Sequence, residues 1–269
     1  MNAITDKVND EILAVLKQYE TDESVTGFVI TGYGPRAFCA GGDIGRFPEM
    51  LGDAAAAAQY ARDSSHLLTY MDTMRKPVVA AVNGLALGGG SELAMRCHGL
   101  VASSKATFQF PEITLGILPG IGGLIVPFRK WPKGAAKFTA MLCRNDRLSA
   151  KDALELGVVS ALEDDYWKLV QLAADRARAL SGAMPTDQPS GLAAADIPEQ
   201  EATQMDGTPL SAQACGIILD AVRAGVQEAD LGAALETGYR AFGKIAEGPA
   251  AKEGIGAFLG KRKPDFSRM

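Results

Sequence analysis

Three stretches of this 269-residue chain carry backbone amides and carboxylates in patterns able to hold an oxyanion and move a proton. In Ala86-Leu87-Gly88-Gly89-Gly90-Ser91-Glu92-Leu93 an apolar run hands over to a helical pattern. The first N–H groups of that helix have no intrahelical acceptor and lie at its positive end. Glycines let a ligand approach such a main chain closely, and Glu92 falls in the first turn, facing the same ligand. The same residues also read as a tight turn with a solvated Glu that favours the helix dipole. Phe38-Cys39-Ala40-Gly41-Gly42-Asp43-Ile44 is a second small-residue loop after a strand and offers further amides; read alone, it is a strand-ending turn. Phe110-Pro111-Glu112-Ile113 sets one acid in an apolar stretch, where partial burial favours the protonated form and suits it to proton transfer. The plain alternative is an exposed Glu beside a proline turn. Gly120-Ile121-Gly122-Gly123 lacks the Lys-Ser/Thr of a phosphate loop and the spacing of a dinucleotide loop.

The rest of the inventory narrows the chemistry. Cys39, Cys97, Cys143 and Cys215 form no CxxC pair, so neither a zinc site nor a disulfide framework is indicated, and reduced structural thiols are expected. Only His66 and His98 can supply an imidazole, which leaves no His-based metal cluster and no Ser-His-Asp triad; His98, close after a helix, reads as structural. Carboxylates and backbone amides are left to act, with no metal. A net charge of −5 argues against a nucleic-acid partner. Asp6, Lys7, Asp10, Glu11 and Lys17 interrupt the first twenty residues, so these form neither a signal peptide nor a membrane span. A cytoplasmic protein with no membrane partner is expected.

The elements that must position these residues follow from periodicity. Val8, Ile12, Val15, Leu16 and Tyr19 recur at helical spacing, and Val25 to Thr31 is short and β-branched: a helix feeding a strand. Ala54 to Met74 is rich in helix formers, Pro77 to Asn83 reads as a second strand, Ser91 opens a short helix, and Leu100 to Ser103 reads as a third strand. Ser149-Ala-Lys-Asp152 looks like a capping box opening a helix to Leu156, and Leu169 to Leu180 continues as an amphipathic helix. Strands alternating with helices imply an α/β fold with mostly parallel pairing. With 47% hydrophobic residues the chain suffices for one large domain or a domain with an appendage. Composition divides it into a core over 1–180, a Pro, Gly, Ser, Asp and Gln-rich linker or loop over 181–211, and a helical C-terminal region over 212–269. Ile217, Ile218, Leu219, Val222, Leu231, Leu235 and Phe242 give that last region more apolar stripe than an appendage buries alone, which predicts a homo-oligomer built through it. Lys261-Arg262-Lys263 reads as a solvated tail.

In this order, Phe38-Cys-Ala-Gly-Gly-Asp-Ile44, Asn83-Gly-Leu-Ala-Leu-Gly-Gly-Gly-Ser-Glu-Leu-Ala94 and Phe110-Pro-Glu-Ile-Thr-Leu-Gly-Ile-Leu-Pro-Gly-Ile-Gly-Gly123 resemble the crotonase (enoyl-CoA hydratase/isomerase) superfamily, specifically its enoyl-CoA hydratases. The resemblance runs from Asn2 to about Leu180 and resumes over Lys252 to Phe266, which looks like the family's C-terminal helix. It implies a repeated ββα spiral with a helical trimerisation region, assembled as a homotrimer or hexamer. It also implies an oxyanion hole from the amides of Gly42 and Gly89, catalytic glutamates at Glu92 and Glu112, and an acyl-CoA site lined at Ala40, Gly42, Asp43, Ile44 and Gly89, with Ala3 near the adenine. Coenzyme A enters only as part of the substrate, and no separate cofactor is implied.

The chain departs from the family's pattern in three places. It starts at Met1-Asn2-Ala3, where hydratases usually have a pair of strands ahead of the Asn-Ala motif. Gly45 stands where the best-known hydratases have a Lys that contacts CoA, with Arg46 adjacent, and 181–211 is longer than usual. The activity implied is reversible addition of water to a 2-enoyl-CoA. Its rivals are an enoyl-CoA isomerase, which needs one carboxylate, and a non-catalytic acyl-CoA binder, which needs the amides but not two acids.

Overall fold

The β-branched runs become strands and the periodic runs become helices, in a computed structural model that describes residues 1–42 and 45–267. Contacts group the chain into two units. The first holds Met1–Asp43, Ser64–Phe108 and Leu148–Thr186; the second holds Ile44–Asp63, Gln109–Arg147 and Asp187–Met269.

In the first unit, helix α1 (Asp6–Tyr19) is capped by Thr5, whose hydroxyl accepts from the Val8 amide at 3.3 Å. Of its periodic apolar residues only Leu16 is buried, while Val15 and Tyr19 stay exposed. Strands β1 (Phe28–Thr31) and β2 (Ala37–Cys39) follow, so Phe38 and Cys39, expected to open the small-residue loop, belong to a strand. The next helical run divides between the units as α2 (Ala54–Ser64) and α3 (His66–Thr73). It breaks at Ser65, a residue whose side chain competes for backbone partners and disfavours a helix interior. Strands β3 (Val78–Val82) and β4 (Leu85–Leu87) precede helix α4 (Gly89–Arg96), which begins two residues before the expected Ser91. Then come β5 (Gly99–Ala102) and β6 (Thr107–Gln109).

Strands β1, β3 and β5 form one parallel sheet in that order, with Val79 opposite both Val29 and Gly99. Every residue of β3 is buried, as expected for a parallel strand covered on both faces. On one face Val79, Ala81 and Val101 pack against Leu169, Ala173, Ala177 and Leu180.

The second unit carries α5 (Val126–Lys130) and α6 (Ala135–Arg144), after which the chain forms β7 (Arg147–Ser149) and returns to the first unit as α7 (Ala150–Glu155) and α8 (Tyr166–Leu180). Ser149 does cap α7, accepting from the Asp152 amide at 3.1 Å. The second sheet runs β2-β4-β6-β7, with β2 and β4 parallel.

Beyond Thr186 the second unit continues through an irregular strap, whose regular structure among the described residues is a 3-10 turn at Ala194–Asp196. Helices α9 (Ala212–Gly225), α10 (Leu231–Glu247) and α11 (Pro249–Leu259) complete it. Ile217, Ile218, Leu219, Val222, Leu235 and Phe242 are all buried within the chain and Leu231 partly so, which removes the argument that this stripe needs a second subunit to cover it. The basic tail is not merely solvated either: Arg262 turns back to bind the Glu253 carboxylate with both terminal nitrogens. All four cysteines are free and buried, and His98 has the expected structural role, its Nδ1 accepting from the Val78 amide at 2.9 Å. Among the described residues no helix is long and apolar enough to cross a membrane, and no group of His, Cys, Asp and Glu is arranged to hold a metal.

Candidate active site

Parallel pairing of β2 with β4 sends both strands out at the same edge, so the loops that follow them run side by side. Glycine makes the approach feasible. A Cβ on Gly90 would lie 2.3 Å from the Cys39 carbonyl oxygen, and one on Gly41, at φ +99°, would lie 2.8 Å from that of Leu87 and 3.7 Å from the Gly89 nitrogen. Gly42 is exposed and has open space where a Cβ would be, and Gly89 is half-buried at the first position of α4. The two candidate oxyanion donors thus sit on neighbouring segments of one unit.

Two buried side chains hold this pair of loops. Asn83, between β3 and β4, accepts from the Gly32 amide at 3.1 Å and donates to the carbonyls of Gly32, Gly34 and Ala37. It fixes the turn that leads into β2. Ser91 donates to the Ala86 carbonyl at 2.6 Å, tying the start of α4 to β4. Neither residue was assigned a role from sequence, although a polar residue closing a fully apolar strand is the signal that would have found Asn83.

Glu92 lies in the first turn of α4 and is only 3% exposed, at the helix end whose dipole favours an anion. One turn on, the buried Arg96 pairs with Asp72 of α3, anchoring the C-terminal end of the same short helix. The N-terminal segment runs beside the Gly41-Gly42 turn: Ile4 donates to the Gly41 carbonyl at 2.9 Å and bridges Gly42, and Ala40 donates to the Met1 carbonyl at 3.1 Å. Ala3 is therefore exposed next to the Gly41-Gly42 turn, and Ala40 is half-buried within it. Asp43 and Ile44 lie outside the described residues.

Glu112 belongs to the second unit. It is half-buried in a 3-10 helix, Pro111–Leu115, which opens on proline and closes on Gly116 in the left-handed conformation at φ 64°. In the same unit, Arg46 stacks its guanidinium 5.6 Å from the centre of the Tyr60 ring, next to the position where the usual lysine is replaced by Gly45.

A family model for enoyl-CoA hydratase/isomerase matches residues 1–188. The chain is 32% identical to a probable enoyl-CoA hydratase of Bacillus subtilis over 98% of its own length and 90% of that protein's. It is 34% identical to a crotonyl-CoA hydratase of Syntrophomonas wolfei, covering 99% and 90%. Among solved structures it is similar to one described as "Enoyl-CoA Hydrates Subunit I" from Geobacillus kaustophilus, with a TM-score of 0.56 at 32% identity over 98% of this chain and 89% of that one. A carnitinyl-CoA dehydratase from Mycobacterium thermoresistibile shares the fold, with a TM-score of 0.75 at 22% identity, covering 99% and 87%. With its α/β core, its helical C-terminal region and these similarities along nearly all its length, the chain belongs to the enoyl-CoA hydratase/isomerase family of the crotonase superfamily.

Proposed function

We propose that the protein adds water reversibly across the double bond of a 2-enoyl-CoA, giving a 3-hydroxyacyl-CoA. The observation that carries the reading is the meeting of the Gly41-Gly42 turn with the start of α4, which puts two candidate amide donors on adjacent segments and buries Glu92 one turn behind them. The Gly42 and Gly89 N–H groups donate to the thioester oxygen and stabilise the enolate-like charge of the transition state; one such donor is worth about 3 kcal/mol. Glu92 takes a proton from water as it attacks the β-carbon, and Glu112 delivers one to the α-carbon. Water addition is redox-neutral, so the two carboxylates and two amides suffice for it. The names of the relatives, which include a 2,3-dehydroadipyl-CoA hydratase of Escherichia coli at 33% identity, support a CoA thioester as substrate and leave the acyl group open. Assembly as a homotrimer or hexamer belongs to the same proposal, rests on the family resemblance alone, and is tested by light scattering.

The test is hydration of a panel of enoyl-CoA thioesters, followed as loss of the conjugated absorbance. Glu92→Gln and Glu112→Gln should each lower turnover by about two orders of magnitude or more with little change in acyl-CoA affinity. Because the two act on one water and one substrate, the double variant should lose far less than the product of the single losses. Unchanged hydration in either single variant removes that glutamate from the mechanism. Double-bond migration that survives in Glu92→Gln, with no hydration in the parent, makes the protein an isomerase. A crystal structure with a bound acyl-CoA analogue should show both carboxylates on one cavity; carboxylates on opposite faces would sink the hydratase reading.

A further inference from the structure

We propose that Gly254, on α11, is a positioning residue for Glu112, an inference that rests on the reading of Glu112 as the proton donor. Ala250 and Gly254 stand one turn apart on the same face of α11 and both are buried. Against that face lies the chain that has just carried Glu112. A Cβ on Gly254 would come 2.0 Å from the Leu115 carbonyl oxygen and 2.7 Å from the Leu115 Cα. A Cβ on Gly116 would come 2.3 Å from the Ala250 carbonyl oxygen. Main chain therefore touches main chain at two points, a contact that leaves no flexible side chain to absorb a change. The 3-10 helix is a single short turn held by local bonds: Thr114 Oγ1 donates to the Pro111 carbonyl at 2.7 Å, the Gly116 amide to the Ile113 carbonyl at 3.0 Å and the Ile117 amide to the Glu112 carbonyl at 3.2 Å. A helix so short is fixed by what it packs against. Closest real approaches of a Cβ are about 3.0 Å, so an alanine at 254 displaces Leu115, three residues from Glu112, by about 1 Å. Misplacement of that size costs on the order of a hundredfold in rate.

Gly256 supplies the control, since it lies on the same helix with open space where a Cβ would go. Alanine favours a helix over glycine at either position. Gly254→Ala should lower kcat for hydration by about tenfold to a hundredfold with KM little changed, while Gly256→Ala leaves both unchanged. In a Glu112→Gln background, Gly254→Ala should cost less than about twofold more, because the group it misplaces has already lost its proton. A general loss of structure would instead multiply the two effects. Hydrogen exchange on the unaltered protein decides the matter even if Gly254→Ala does not fold: the Gly116 and Ile117 amides should exchange in step with those of α11. Full activity of Gly254→Ala, an undiminished loss beside Glu112→Gln, or independent exchange of Gly116 and Ile117 overturns the proposal. If Glu112→Gln itself hydrates normally, the reading of Glu112 as proton donor fails, and that outcome is distinct from the other three.

Discussion

Arg129 shows how differently two ion pairs can count. Its side chain is 3% exposed and binds Asp187 through both arms, Nε to Oδ1 at 2.9 Å and Nη2 to Oδ2 at 2.7 Å, while donating to the Glu228 and Ala229 carbonyls. Asp187 also accepts from the Leu231 amide at 2.9 Å, so one carboxylate ties the start of the strap to the start of α10. Replacing Asp187 by Ala leaves a buried guanidinium short of its counter-charge and should cost about 3 kcal/mol in urea unfolding. Lys151 and Glu155, both mostly exposed, form an i,i+4 pair at 4.0 Å, and Lys151→Ala should change stability by less than about 0.5 kcal/mol. Glu253 responds to pH rather than to burial. The Arg262 guanidinium, and then the Asp265 amide at 2.8 Å, hold its carboxyl down from the usual 4.5 to about 2. What the ionised carboxylate contributes is present above 4.5 and is lost as pH falls toward about 2. A carbon NMR titration should find Glu253 still ionised at mid-acid pH, and Arg262→Ala should raise its midpoint toward the ordinary carboxylate range, with the Asp265 amide still holding it down in part.

Elements with a long, strong pattern were legible, and those without were not. The α1 helix, β1, β3, β5 and α8 are where spacing and β-branching put them, within a few residues. Strands β4, β6 and β7 are three residues each, too short to show an alternation. The start of α4 was misjudged because glycines count against a helix by propensity, whereas here Gly90 is what lets the main chain at the start of α4 reach Cys39. Composition identified 181–211 as irregular but said nothing of its packing. Ile197 and Leu210 are buried, Gln200 donates to Thr139 at 3.1 Å, and Asn145 donates to Gln204 at 3.0 Å. Asn145 in turn accepts from Gln109, through its side-chain oxygen at 2.7 Å and its carbonyl at 2.9 Å, so one residue joins α6, the strap and the segment before Glu112. It also ends α6 in the left-handed conformation, at φ 60°. Asn145→Ala therefore loses both backbone fit and side-chain bonds, while Asn145→Gly loses only the second. The alanine variant should be less stable than the glycine one by about 1 kcal/mol in thermal or urea unfolding.

At the scale of the molecule, the family was readable because its motifs combine amides and acids in a fixed order, each ambiguous alone. Candidate site residues could be named one by one from the motifs, but the sequence could not say that Glu92 and Glu112 belong to different units, since that grouping depends on pairings far apart in the chain. Nor could it say that α10 and α9 cover their own apolar stripe. Each unit is made of three separate stretches, and this has a consequence for biosynthesis. The apolar face of β3 formed by Val79 and Ala81 is closed by Leu169 to Leu180, about a hundred residues later. At roughly 5–20 residues per second, that face leaves the ribosome about 5–20 s before its cover is made. The nascent chain is thus a client for whatever shields exposed β-branched strands in the cell, and a premature stop anywhere before α8 releases a product that has no closed core to fall back on.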